Sequence, residues 1–186
     1  MVDAPSGISG ILGDLSKYSF RLDRIILTHG HFDHVLGIAE ALKVFPAAEL
    51  MIHPGDLEEL GDKLISKAKQ LSDGMKFKAA GSIELSVIHT PGHTPGCCCF
   101  LMNTGSGGFL FTGDTVFHGT CGRTDLDGGS NTAMFASLQK IKQLPPETVL
   151  LTGHQYSRKF SGTLAEEIAS NDAMKASSLD SLEQLP

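Results

Sequence analysis

The sequence predicts an α/β fold built as two layers of strands and helices that face each other. Short apolar runs bounded by glycine and proline read as buried strands, and stretches with apolar residues every three or four positions read as helices between them. Both halves of the chain also end their strands in loops of histidine and aspartate, which suggests two layers meeting at one functional edge. At 186 residues, 41% apolar and 19% charged, the chain suits a single domain of ordinary globular balance.

In chain order, Met1 to Pro5 reads as the tail of a strand entering a turn, and Gly7 to Tyr18 as a helix with Ile8, Ile11, Leu12 and Leu15 at helical spacing. Asp23 to Thr28 is a short apolar run, hence a buried strand, and it delivers the histidine-rich loop that follows. Val35 to Phe45 carries Ile38, Ala39, Ala41 and Leu42 on one side and is stopped by Pro46. Glu49 to His53 is another strand. Pro54 opens a helical stretch that runs to Leu71, with Leu57, Leu60, Leu64, Ile65 and Ala68 along one face.

A second β-rich block starts near Ser82, where Ile83, Leu85 and Val87 alternate with polar neighbours. It runs into His89 to Gly96, a loop stiffened by two prolines and two glycines. Cys97 to Met102 and Phe109 to Thr112 are strands joined by a glycine-rich hairpin from Asn103 to Gly108, and Gly113-Asp114-Thr115 follows directly. Met134, Phe135, Leu138 and Ile141 give Asn131 to Leu144 a helical face. Thr148 to Thr152 is a buried strand that ends at Gly153-His154, and Gly162 to Ser170 is the last helix. Residues 1–175 are read as one domain and 176–186 as a polar C-terminal tail, partly disordered.

Function concentrates in Thr28-His29-Gly30-His31-Phe32-Asp33-His34, where three of the chain's eight histidines and an aspartate fall together. His29 and His31 are two apart, so on an extended segment both leave on the same side and can grip one cation. Asp33 and His34 come next and are placed to face a second. Three more strand ends carry His93, Asp114 and His154, each preceded by a glycine that lets the backbone approach closely. The division expected is His29, His31 and His93 on one ion, Asp33, His34 and His154 on the other, with the two oxygens of Asp114 bridging them.

The net charge of −6 and pI near 5.7, without a run of Lys or Arg, argue against a nucleic-acid surface. No apolar stretch approaches a membrane span and no signal peptide is visible, so a cytoplasmic location and a small-molecule substrate are expected, with no nucleic-acid or membrane partner. The four cysteines, Cys97, Cys98, Cys99 and Cys121, do not make an ordered set of intrachain bridges, which fits a reducing compartment. Successive strand residues face opposite ways, so the triplet is read as small buried side chains rather than a soft metal site.

The series HxHxDH, His, Asp and His, in this order up to His154, resembles the metallo-β-lactamase fold superfamily over most of the chain. Within it, HTPGHTPG (89–96), FTGDTVF (111–117) and CGRTDLDGG (121–129) are similar to the glyoxalase II (hydroxyacylglutathione hydrolase) group. The resemblance implies an αββα sandwich with two metals at one edge, zinc in the first place, with iron or manganese served by the same donors. It also implies that Arg123 and Tyr156 contact glutathione, although Arg123 could equally be a structural arginine paired with Asp125 or Asp127. Members of the family normally carry two or more strands before the position that Asp3 matches. Their absence predicts an N-terminally shortened domain with an open sheet edge, one that a homodimer could cover. The helical extension of glyoxalase II beyond the last His is missing too.

The expected reaction is hydrolysis of a thioester by a metal-bound hydroxide, with Asp33 orienting the nucleophile. A thiolate, of conjugate pKa about 8.5, departs without a strong acid, whereas an amine must be protonated as it leaves. Two alternatives stand beside this. One is a mononuclear iron persulfide dioxygenase, since Cys121 to Asp125, Glu166-Glu167 and Asn171 are also similar to that group. The other is an inactive, truncated member of the superfamily. His53, His89 and His118 match no ligand position and are read as ordinary polar or partly buried histidines.

Overall fold

The computed structural model describes residues 1–80, 83–104 and 107–185. The expected start of the second β-block at Ser82, the middle of the glycine-rich hairpin at Gly105 and Ser106, and the final Pro186 lie outside the described residues. In chain order the elements are α1 (Ser9–Lys17), β1 (Arg24–Ile26), α2 (Phe32–Val35), α3 (Ile38–Val44), β2 (Glu49–Ile52), a 3₁₀ helix (Pro54–Leu60), α4 (Asp62–Ile65) and β3 (Lys69–Gln70). Then come β4 (Lys76–Ala80), β5 (Ile83–His89), β6 (Cys98–Met102), β7 (Phe109–Gly113), β8 (Val116–Phe117), β9 (Thr120–Cys121), α5 (Asn131–Ile141), β10 (Val149–Thr152), β11 (Gly162–Thr163), α6 (Leu164–Ser170), α7 (Asp172–Lys175) and α8 (Leu179–Glu183).

Two sheets form the centre of the molecule. One has three parallel strands in the order β1-β2-β3, and the other has six in the order β11-β10-β7-β6-β5-β4. The alternation of side chains sorts the core into three apolar layers. Ile25, Leu27, Leu50 and Ile52 face α1 and α3, while Ile26 and Met51 from the same strands meet Leu85, Val87, Cys98 and Phe100 between the sheets. Beyond the second sheet, Cys99, Leu110 and Leu150 pack against Met134, Leu138 and Ile141 of α5. Helices outside, sheets inside: the predicted αββα sandwich is present, and Cys98 and Cys99 face opposite layers as the strand reading requires.

Three segments differ from expectation, each for a local reason. Pro54 to Leu71 is not one helix. Gly61 takes φ +69°, which an L side chain resists, and breaks the stretch; Lys69–Gln70 then pairs with β2, which seats Leu71 between the sheets. Leu57, Leu60, Leu64, Ile65 and Ala68 still pack into a single cluster, so the apolar face was real and its regular geometry was not. The edge strand β4 went unanticipated because Lys76 and Lys78 flank its one large apolar residue, a composition that suits an edge. The tail expected to be loose is packed: Ser178 caps α8, and Leu182 lies buried in the cluster that α5 shares with α7.

The edge of β1, expected to be open, is taken by the first residues of the chain. Val2 bridges Ile26 in parallel, the Ile26 N–H donates to Met1 O and the Asp3 N–H to Ile26 O, both at 2.9 Å. Three strands still face six, however, and the uncovered part of the larger sheet leaves a cleft of about 950 Å³ lined by Val2, Ile26, Leu85, Met102 and Phe111. Its inner end reaches His34 and His154. No helix among the described residues is long and apolar enough to cross a membrane.

Candidate metal centre

Strand ends deliver every ligand-type residue to one edge of the sandwich. β1 leads through Thr28 to His29 and His31, and α2 carries Asp33 and His34. His93 lies between β5 and β6, Asp114 follows β7, and His154 follows β10. Because β7 and β10 run parallel, Asp114 and His154 emerge side by side. The close approach depends on glycine. A Cβ on Gly153 would lie 2.4 Å from Asp114 Oδ1, and one on Gly113, which sits at φ +49°, would lie 2.5 Å from Thr28 Cβ.

The seven residues meet as overlapping trios. His29, His31 and His93 form one, and Asp33, His34 and His154 another, with the ligand atoms of each trio within 4.8 Å of one another. His29 and His34, one from each, form a third with Asp114, which lies between them. Its Oδ1 is 3.4 Å from His34 Nε2, and its Oδ2 is 3.5 Å from His93 Nε2 and 3.4 Å from His154 Nε2. His154 Nε2 is 3.1 Å from Asp33 Oδ2 and 3.2 Å from His34 Nε2.

The far side of three imidazoles is pinned. Thr28 Oγ1 is 3.0 Å from His29 Nδ1, Asp3 Oδ2 is 2.8 Å from His34 Nδ1, and the Arg123 carbonyl is 2.7 Å from His93 Nδ1. Such contacts fix the ring orientation and direct Nε2 inward, as outer partners of metal ligands do. Inside, His29 Nε2, His93 Nε2 and Asp114 Oδ1 are buried without a hydrogen-bond partner. Unpartnered ring nitrogens and a carboxylate oxygen converging in a buried site are costly unless a cation takes them up.

The electrostatics fit the same occupant. Burial and the neighbouring imidazoles of His34 and His93 hold His29 far below the usual histidine range, and burial together with His93 lowers His31, so both present free lone pairs at neutral pH. His34 behaves in the opposite way. Burial works against its charge, but the carboxylates of Asp114 and Asp3 outweigh it and push its pKa up to about 10.

A sequence profile described as the Metallo-beta-lactamase superfamily matches residues 14–154. The chain belongs to this superfamily. The hydroxyacylglutathione hydrolase of Citrobacter koseri is 35% identical over 153 residues, which cover 82% of this chain and 56% of that protein. The chain thus spans little more than half the length of that curated relative. Among solved structures, the di-iron-bound form of TTHA1623 aligns with a TM-score of 0.76 at 31% identity, covering 91% of this chain and 86% of that one. ETHE1 from Myxococcus xanthus aligns at 0.81 and 25%, covering 100% and 80%. Superfamily membership implies divalent metal ions, and the His/Asp clusters are suited to hold them.

Around this metallo-β-lactamase centre, the two residues expected to meet substrate sit differently. Tyr156 is exposed, with its ring 5.6 Å from that of His154 and 4.9 Å from that of Phe117. The Arg123 side chain is also exposed, but its fork is spent on Asp125, with Nε and Nη2 each donating over 2.7 Å. Its backbone carbonyl, rather than its guanidinium, touches the centre. His53 and His89 stack on each other at 3.9 Å away from the ligands, and buried His118 pairs with Glu167 at 2.9 Å. The four thiols are free, and burial pushes each of them up, Cys99 and Cys121 to about 11, so none is poised as a nucleophile.

Sequence reasoning missed the supports: Asp3 beneath His34, Thr28 beside His29, and Asp56, whose partners are described below. Asp3 was the most accessible of these, since it lies in the segment that leads toward β1. Asp56 carried no signal beyond a Pro-Gly-Asp turn.

Proposed function

We propose that the chain is a binuclear metallohydrolase that cleaves a thioester of the hydroxyacylglutathione type, with two zinc ions in the first place. The observation that carries the reading is the pair of ligand trios, His29, His31 and His93 on one side and Asp33, His34 and His154 on the other, with Asp114 between them. The relative named hydroxyacylglutathione hydrolase and the di-iron-bound structural neighbour support it.

When bound, two divalent cations supply a hydroxide near neutral pH and positive charge for the tetrahedral oxyanion. The remaining work falls to the chain. Asp114 would serve both halves, since its Oδ2 faces His93 and His154 and its Oδ1 faces His34. Asp33, partly solvent-exposed and 3.1 Å from His154 Nε2, orients the nucleophile by accepting its proton in a hydrogen bond. Tyr156 offers an apolar face and one hydroxyl at the rim, suited to the thiol portion of the substrate, and Arg123 supplies a forked donor once released from Asp125. No further acid stands among the ligand loops, which favours a leaving group that departs unprotonated.

A second reading has its own support. His29 and His93 are buried and His31 partly so, whereas only His34 of the other trio is buried, and ETHE1 aligns over the whole chain. Metal analysis of the purified protein, alongside assays with S-D-lactoylglutathione and with glutathione persulfide, separates the two. Two ions per chain with thioester turnover support the hydrolase. One iron with oxygen uptake on the persulfide overturns it.

A further inference from the structure

Asp56 is a buried carboxylate, 2% exposed, and all its hydrogen-bond partners among the described residues are neutral. Its Oδ2 accepts from the Gly30 N–H at 2.9 Å and from Thr94 Oγ1 at 2.6 Å, and its Oδ1 accepts from the Gly96 N–H at 2.6 Å. Gly30 lies between His29 and His31, and Thr94 directly follows His93. One carboxylate therefore ties together the two loops that supply the first trio. It stands on the 3₁₀ helix, whose start is capped by His53 Nδ1 accepting from the Gly55 N–H at 3.1 Å. The loops lie so close to this helix that a Cβ on Gly96 would come within 2.5 Å of Asp56 Cγ, and one on Gly30 within 2.6 Å of Glu59 Cβ.

A buried charge held by neutral donors costs desolvation that three hydrogen bonds only partly return. Its three hydrogen bonds instead fix the loops on either side of the first trio in the folded chain, so their ordering is met in folding rather than on ion binding. We propose that Asp56 is a positioning residue that presets the His29, His31 and His93 half of the centre and strengthens its hold on a divalent ion. This inference rests on the metal-centre part of the function proposed above and is independent of the thioester.

The experiment is a Co²⁺ titration of the full, metal-stripped chain, followed by visible absorption, which reports the ligand field rather than turnover. Asp56→Asn keeps the shape but turns an amide N–H₂ toward one of three donors. It should weaken Co²⁺ binding in the imidazole trio by about 10- to 100-fold, in the range of lost outer partners, and leave the other position unchanged. In a His154→Ala background, which isolates the first position, the same change should weaken the remaining Co²⁺ binding by the same factor. Thr94→Val retains the charge and two of the three hydrogen bonds, so it should weaken binding severalfold, and it serves if Asp56→Asn does not fold. Wild-type Co²⁺ affinity in folded Asp56→Asn, or in folded Thr94→Val where the former is lost, overturns the inference while leaving the metallohydrolase intact. A wild-type chain that binds no Co²⁺ overturns both, and one that binds two ions without thioester turnover overturns only the substrate.

Discussion

The two ligand trios differ in how they are held. His29 and His93 are buried, their outer nitrogens pinned by Thr28 and the Arg123 carbonyl, and their loops are clamped by Asp56. In the other trio His34 alone is buried and pinned; the side chains of His154 and Asp33 are 31% and 40% exposed. The first half is thus preorganised, and the second is open to solvent and to the cleft between the sheets. A rigid half suits tight retention of an ion, while an open half suits exchange of water and substrate, the division of labour a hydrolytic centre needs.

The largest effect should come from removing the residue common to both halves. Asp114→Ala takes away the carboxylate that faces both trios, and activity should fall by more than about a hundredfold, beyond the range of an outer partner. Metal content by elemental analysis should drop further than in His154→Ala. Equal content in wild type and Asp114→Ala would sink the two-ion assignment.

His154→Ala tests the asymmetry itself, because it disturbs only the open trio. One ion per chain should remain, held with near wild-type affinity, and thioester turnover should be strongly reduced. Loss of both ions would show that the two halves are filled cooperatively and that the contrast in burial has no counterpart in affinity.

How far the sequence revealed this contrast depends on the kind of information involved. The convergence of the candidate ligands was legible because HxHxDH and the Gly-His, Gly-Asp and Gly-His strand ends are local patterns, read directly from residue type and spacing. The strands were legible from short apolar runs such as Arg24–Ile26 and Val149–Thr152, and their arrangement as a sandwich from the family resemblance. The supports were not, since Asp56 reaches Gly30 and Thr94 across 26 and 38 residues, and nothing about an isolated aspartate reports such partners. Secondary structure failed where tertiary pairing overrode periodicity, as at Lys69–Gln70 beside β2.

A smaller effect is expected behind Asp114, where the loop from Phe117 to Thr120 is held from the helical side. Glu167 accepts from the Gly119 N–H at 2.9 Å and pairs with His118 Nδ1 at 2.9 Å, while Asn171 donates to the carbonyls of Phe117 and Thr120. Burial works against the Glu167 charge, yet the Gly119 N–H, His118 and Asn171 prevail and hold its pKa below the usual carboxylate range. A depressed folded value contributes stability that is present above the unfolded pKa, about 4.3, and is lost as pH falls through the folded value. Thermal scans of wild type should therefore show a decline below that pH, and Glu167→Gln a shallower one. At pH 7 the variant should be less stable by about 1.5 to 3 kcal/mol, the cost of charge-assisted hydrogen bonds. Parallel pH profiles for the two chains would remove Glu167 as a brace of the Asp114 loop.

The smallest effect separates the two lives of Arg123. As the exposed partner of Asp125, its guanidinium should matter little to stability, because such pairs are screened and entropically costly. If it also receives a carboxylate of the substrate, the loss should appear in binding alone. Arg123→Ala should then raise KM for a glutathione thioester by about tenfold to a hundredfold, leave kcat nearly unchanged, and have no effect on a simple thioester lacking glutathione. The carbonyl that pins His93 belongs to the backbone and survives the substitution, so the rigid half of the centre should keep its ion. A metal-poor, unstable variant would instead show that the Arg123–Asp125 fork shapes the loop that presents this carbonyl. Unchanged kinetics on both substrates would leave the hydrolase in place and remove glutathione from it.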